Sequence, residues 1–141
     1  MTSLDDPAVR EFLATGTRTG KLGFTGADGR PLVAPVWFVV DGDALAFTTG
    51  AASAKGRYLA RDPRVVLCVD LQEPPYAFVQ VQGEATISRD ADELRRIATA
   101  AAARYMGAAA AAEFGARNSG PTELAVRVVP RKIIADLDVT A

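Results

Sequence analysis

Residues 77–88, AFVQVQGEATIS, set Phe78, Gln80 and Gln82 on one side of an extended chain and Val79 and Val81 on the other. Only a strand repeats with a period of two, and alternating apolar and polar faces mark an antiparallel sheet with one side on a core. The chain carries five more segments of this kind. TRTGKLGFTG (17–26) ends at the turn signal ADGR; PLVAPVWFVV (31–40) is β-branched and aromatic; DGD (41–43) turns it into ALAFTT (44–49). RVVLCVDL (64–71) is another apolar run, and ELAVRVVPRKIIADLDV (123–139) is a long strand interrupted at Pro130. Short strands separated by tight turns, the first three read as a meander, predict a mainly β fold: a closed, six-stranded antiparallel barrel. Strands do not alternate with crossover helices, and GKLGFTG runs into a turn and another strand, so a doubly wound dinucleotide fold is excluded.

Three or four helices decorate this barrel. Asp5 or Asp6 followed by Pro7, with Val9, Phe12 and Leu13 on one face, predicts a short helix over 6–14 that serves as a lid or strap. Ser53 caps a helix over 54–61, stopped by Asp62-Pro63. Asp90 with Glu93 opens a longer one that runs to about Met106 before Gly107, and AAAAAEFGARN predicts a further short helix. With 141 residues, no internal repeat and no long linker, the chain reads as one domain over 1–141.

Composition narrows the chemistry. The 16 basic and 17 acidic residues leave a net charge of -1, so no global field draws in nucleic acid or an anionic membrane, and no apolar stretch approaches a membrane span. With an acidic rather than a basic start, MTSLDDPAVR, the expected location is cytoplasmic. The single cysteine, Cys68, lies in an apolar β run and reads as a small core residue. The absence of histidine removes the Ser-His-Asp triad, the Cys-His pair and His-ligated zinc. An enzyme built this way borrows its chemistry from a cofactor.

TTGAASAKGR (48–57) is the segment where such a cofactor would attach. It joins a strand to a helix N-terminus, where free N–H groups and the helix dipole favour an anion, and it carries Thr48, Thr49, Ser53, Lys55 and Arg57. The spacing is not that of a nucleotide-binding P-loop. The alternative is that Lys55, Arg57 and Arg61 form a solvated helix face. Pro35 cannot donate to a ladder, which puts it at an edge or bulge with backbone groups free beside it.

Taken in order, GRPLVAPVWFVVDGDALAFTT, SAKGRYLARDPRVVLCVD, FVQVQGEATI and ELAVRVVPRKIIA resemble the pyridoxamine-phosphate-oxidase-like split β-barrel proteins, particularly the B branch of the flavin/deazaflavin oxidoreductases. The resemblance covers roughly residues 5–136. It implies a six-stranded split barrel, a homodimer, and two cofactor sites in the interface, each lined by both protomers. Carried over by position, it assigns Lys55 to the cofactor phosphate with Ser53 and Arg57 beside it, and Thr48 and Thr49 to hydrogen bonds from the strand end. Pro35, Val36, Trp37 and Phe38 would run along the tricyclic ring through backbone groups, Trp37 being equally readable as a core or interface aromatic. Tyr76, Phe78, Gln80 and Gln82 would reach the site from the second protomer.

The lack of histidine and of a basic C-terminal extension disfavours vitamin B6 oxidation. Members of the B branch tend to use the deazaflavin coenzyme F-420, whose acidic oligoglutamate tail Arg57 could meet. The implied reaction is hydride transfer to an unsaturated small-molecule acceptor, with the following proton from solvent or Tyr76. The acceptor pocket is expected from the N-terminal helix, segment 107–120 and the partner chain. An FMN-binding oxidoreductase of the same fold, a non-catalytic cofactor-sequestering protein and a small dimeric scaffold without a ligand stay open beside this reading.

Overall fold

Each alternating segment forms a strand, and one of them forms two. The structure is a computed structural model and describes residues 3–141. Its strands are β1 (Gly20–Thr25), β2 (Pro31–Val36), β3 (Val39–Asp41), β4 (Ala44–Gly50), β5 (Arg64–Leu71), β6 (Ala77–Ser88) and β7 (Glu123–Asp136). They make one antiparallel sheet in the order β2-β1-β5-β6-β7-β4-β3. The segment expected as one strand over 31–40 is broken at Trp37 and Phe38: Val36 pairs with Gly20 of β1, whereas Val39 pairs with Ala46 of β4. The count is therefore seven rather than six.

That break closes the architecture. β2 and β3 are the two outer strands of the sheet, yet only two residues join them. Two residues span at most about 10 Å between their neighbours, so the sheet must roll until its edges lie side by side. No ladder links those edges, and the result is a barrel with a slit. The expected three-stranded meander is replaced by two hairpins, β1–β2 and β3–β4, at opposite edges of the sheet. Period two identifies a strand but is silent about which ladder it joins.

Leu22, Phe24, Leu45, Phe47, Leu67, Val69, Val79, Val81, Val126 and Val128 fill the barrel. Helix α1 (Pro7–Ala14) starts at Asp6, whose carboxylate accepts the Ala8 N–H, and its Val9 and Leu13 enter the same core. Helix α2 (Ala54–Arg61) adds Leu59. Helix α3 (Ala91–Met106), capped by Asp90, lays Leu94 and Ile97 on Ala46 and Ala125. This second contact covers the outside of β4, which is why Ala44, Leu45, Ala46 and Phe47 are all buried although a half-covered strand would alternate. A 3-10 turn at Ala108–Ala110 leads into α4 (Ala111–Arg117). Among the described residues no helix is long and apolar enough to cross a membrane.

The expected interruption at Pro130 is a bulge within one continuous strand. Gly83 pairs with Pro130 while Gln82 pairs with Lys132, so Arg131 is the additional residue on β7. A side chain at Gly83 would collide with the carbonyl oxygen of Val129, so the bulge needs glycine there. Cys68 departs from its expected place. Val65, Leu67 and Val69 take the inward positions of β5, which turns Cys68 to the half-buried outer face beside Asp70 and Lys21. Burial, then the Asp70 carboxylate, pushes its thiol pKa up, so it is a weakly reactive thiol.

Candidate functional site

The link from β4 to α2 is built by its own side chains. Ser53 Oγ accepts the Gly56 N–H at 3.1 Å, donates to the Gly50 carbonyl at 2.7 Å and lies 3.3 Å from Thr49 Oγ1. Gly56 sits against the turn, and a side chain at this position would collide with the carbonyl of Gly50 and lie 3.0 Å from that of Ala51. The first turn of α2 is thereby pressed onto the end of β4, and Lys55 is held half-buried next to Thr49. Ser53 thus shapes the turn, its hydroxyl fully engaged within it.

Lys55, Thr48 and Thr49 line a cavity of about 290 Å³ with Pro35, Val36 and Trp37. The third side belongs to α3, whose Ala98, Ala101 and Ala102 fall on one helix face and are too small to fill the space. Asn118 and Glu123 complete the lining, Glu123 because the β4–β7 register sets it opposite Gly50. Among the described residues the side chains of Lys55, Asn118 and Glu123 have no hydrogen-bond or ion-pair partner in the protein, so one cation, one amide and one carboxylate are free to meet a ligand. A larger cavity of about 590 Å³ runs along the outside of β1 and β5. Its charged residues are already engaged, Arg64 with Asp62 and Arg131 with Glu84.

Trp37 and Phe38 part company at the slit. Trp37 is 41% exposed and stacks on Tyr105 of α3, ring centroids 5.2 Å apart and planes 10° from parallel. Phe38 is fully buried, its N–H donates to Tyr105 Oη at 3.4 Å, and its carbonyl accepts from Arg104 at 2.9 Å. Both backbone groups of Phe38 thus have partners inside the chain. Pro35 does lie on an edge strand, opposite Lys21.

Arg104 organises this corner without any carboxylate partner. It donates to the carbonyls of Leu13 at 2.7 Å, Gly16 at 2.9 Å and Phe38 at 2.9 Å, and its guanidinium lies 4.6 Å from the Phe38 ring centroid. It thereby ties the end of α1 to the slit. Burial lowers its pKa, and burial likewise raises that of Tyr105, whose hydroxyl donates to the Arg18 carbonyl at 2.9 Å. Neither residue was a sequence candidate. A tyrosine and an arginine near a helix C-terminus carry no pattern that separates a staple from a solvated face.

The remaining candidates lie elsewhere in the chain. Arg57, two residues beyond Lys55, points about 200° away around the helix and does not line the Lys55 cavity. Phe78, Gln80 and Gln82 occupy the half-buried outer face of β6, where Gln82 donates to Gln80 at 2.8 Å. Tyr76, 46% exposed, precedes β6, while Thr48 aligns through Ala125 with Ser88 at the far end of that strand. The 12 residues of β6 amount to roughly 40 Å of extended chain, so one chain does not bring Tyr76 to its own Lys55. Helix α1 is packed into the barrel and does not line the Lys55 cavity, and of segment 107–120 only Asn118 lines it. Among the described residues no cluster of His, Cys, Asp and Glu could hold a metal ion.

The family model for pyridoxamine 5'-phosphate oxidase matches residues 5–134. Among solved structures, a conserved hypothetical protein from Mycobacterium tuberculosis superposes with a TM-score of 0.82 at 25% identity, over 95% of this chain and 84% of that one. An F-420 reductase superposes with a TM-score of 0.68 at 24% identity, over 88% and 94% of the two chains. A heme storage protein from Vibrio cholerae gives 0.75 at 17% identity, over 96% and 98%. No curated protein matches this sequence.

Proposed function

The chain belongs to the pyridoxamine 5'-phosphate oxidase family, and on that premise we propose that it is an oxidoreductase that seats the phosphate of a flavin-type coenzyme on Lys55. The deazaflavin coenzyme F-420 is the first reading and FMN the second. The observation that carries the proposal is a half-buried lysine without a protein partner, held at a helix N-terminus in a cavity also lined by Thr48 and Thr49. Its residues suit the ligand. Lys55 Nζ donates to the phosphate, Thr48 and Thr49 hydrogen-bond the polyol chain, and the Pro35–Trp37 edge supplies an apolar rim with free backbone groups. At about 290 Å³ the cavity is small for a whole coenzyme, which fits a site completed by a second chain.

A homodimer is part of the proposal. The half-buried outer face of β6, with Phe78, Gln80 and Gln82, continues through β5 and β1 to β2, where Val33 is 71% exposed, and that face is where a second copy would bring Tyr76, Phe78, Gln80 and Gln82 to its neighbour's cavity. When bound, the coenzyme supplies a hydride for an unsaturated small-molecule acceptor. The chain itself holds donor and acceptor in register, excludes water with Trp37 and the α3 alanines, and admits a proton from solvent or the partner's Tyr76. A heme-storage role has less support, because a chain without histidine cannot furnish an imidazole ligand.

Fluorescence titration with F-420 and with FMN tests the reading. One of the two should bind saturably, and Lys55→Ala should weaken it by roughly 10- to 150-fold, the loss of one charge-assisted contact. Unchanged affinity in Lys55→Ala would sink the phosphate assignment. Tight binding without turnover of enones, quinones or nitroaromatics would instead favour the sequestering protein.

A further inference from the structure

Helix α2 has a second charged face. Arg57 turns away from Lys55, and Arg61 follows it one turn later on the same side. With Arg89, just beyond β6, they line a cavity of about 720 Å³ whose floor includes Tyr58, Ile87 and Leu124. No carboxylate lines it. Among the described residues neither Arg61 nor Arg89 has a hydrogen-bond or ion-pair partner, and Arg57 lies 5.6 Å over the Tyr58 ring. Several cations elsewhere are matched by acids, Lys21 by Asp70, Arg64 by Asp62, Arg96 and Arg127 by Asp41, and Arg131 by Glu84, whereas this cavity gathers three arginines and no acid. In a chain whose net charge is -1, three arginines lining one cavity without an acid repel one another, and an anion would reduce that repulsion.

We propose that this cavity is an anion site distinct from the Lys55 cavity, and that its ligand is a small free polycarboxylate. Each guanidinium is a planar fork that matches a carboxylate. Arg57 and Arg61 are about 6 Å apart along the helix axis and Arg89 enters from another element, so the three forks address separate carboxylates rather than one phosphate. Ile87 and Leu124 offer apolar contact to the carbon skeleton between them. Such a ligand is a regulator of this enzyme or its second substrate, and it binds without the coenzyme.

Isothermal titration of the full chain with propane-1,2,3-tricarboxylate, at constant ionic strength and without coenzyme, tests the site. The expected result is one saturable event, at least about tenfold weaker in Arg61→Gln/Arg89→Gln and within about twofold of wild type in Lys55→Ala. Both arginines are exposed, so the double variant should keep its thermal midpoint, and Arg61→Lys/Arg89→Lys should bind between the two. The proposal is overturned by any of four results. These are no saturable binding, inorganic phosphate binding as tightly as the tricarboxylate, loss in Lys55→Ala, or an Arg61→Gln/Arg89→Gln variant that loses coenzyme affinity while the tricarboxylate does not bind.

Discussion

At the scale of single residues, Gly56 is as important to the site as Lys55. Alanine is ordinarily about 1 kcal/mol better than glycine inside a helix, yet at Gly56 its methyl group would overlap the Gly50 carbonyl. Steric conflict with backbone outweighs propensity. Gly56→Ala should therefore destabilise the protein by about 1–3 kcal/mol and lower its thermal midpoint, and coenzyme affinity should fall because α2 must lift off the end of β4. Ser53→Ala should cost about 1 kcal/mol in chemical denaturation through loss of the helix cap. The cap and the lysine were both legible in the sequence, since capping and charge are local. The need for glycine at position 56 was not, because the atoms it avoids belong to a turn whose path only the fold defines.

At the scale of elements, two arginine-centred clusters hold the slit open in a fixed shape. Arg104 joins α1, the residues after it and Phe38, while Asp41 of β3 receives Arg96 of α3, two bonds at 2.8 and 3.1 Å, and Arg127 of β7. β3 is only three residues long and pairs with β4 alone, so the Asp41 cluster supplies the fixation that its short ladder lacks. Arg104→Ala should cost about 2–4 kcal/mol in urea denaturation, because it leaves partly buried carbonyls of Leu13 and Phe38 without donors. Arg104→Lys should recover only part of this, since one ammonium cannot reach three separated carbonyls. Strand and helix positions were largely readable from periodicity, whereas the division of residues 31–40 into two strands was not. A β-branched run looks the same whether it stays in one ladder or passes from one sheet edge to the other.

For the whole molecule, the charge clusters set a pH window. The hydrogen bond from Arg96 is the largest influence holding Asp41 below the ordinary 3.8, so its contribution is present above that value and disappears as pH falls through the lower folded value. The stability gap between wild type and Asp41→Asn, about 2 kcal/mol at neutral pH, should accordingly narrow below pH ~4 in denaturation series. On the alkaline side, burial raises Tyr105 above its ordinary 10.0. Its contribution is complete below that value and is lost as pH rises through the folded one, so Tyr105→Phe should converge on wild type above pH ~10. Asp62, held at about 2 by the Arg64 hydrogen bond, pairs with an exposed arginine and should leave little trace in the same series.

By itself the sequence determined the class of fold, the helix caps, the turn that carries Lys55 and the absence of every chemistry that needs histidine. Each of these follows from neighbours along the chain or from the presence or absence of a residue type. Tertiary structure alone decided that Lys55 and Arg57 face different cavities, that Phe38 is sealed while Trp37 is open, and that Asn118, Glu123 and the α3 alanines share a wall with Lys55. Those relations depend on which way a sheet rolls and which helix covers its edge, and the rolling is fixed by contacts between residues that lie tens of positions apart.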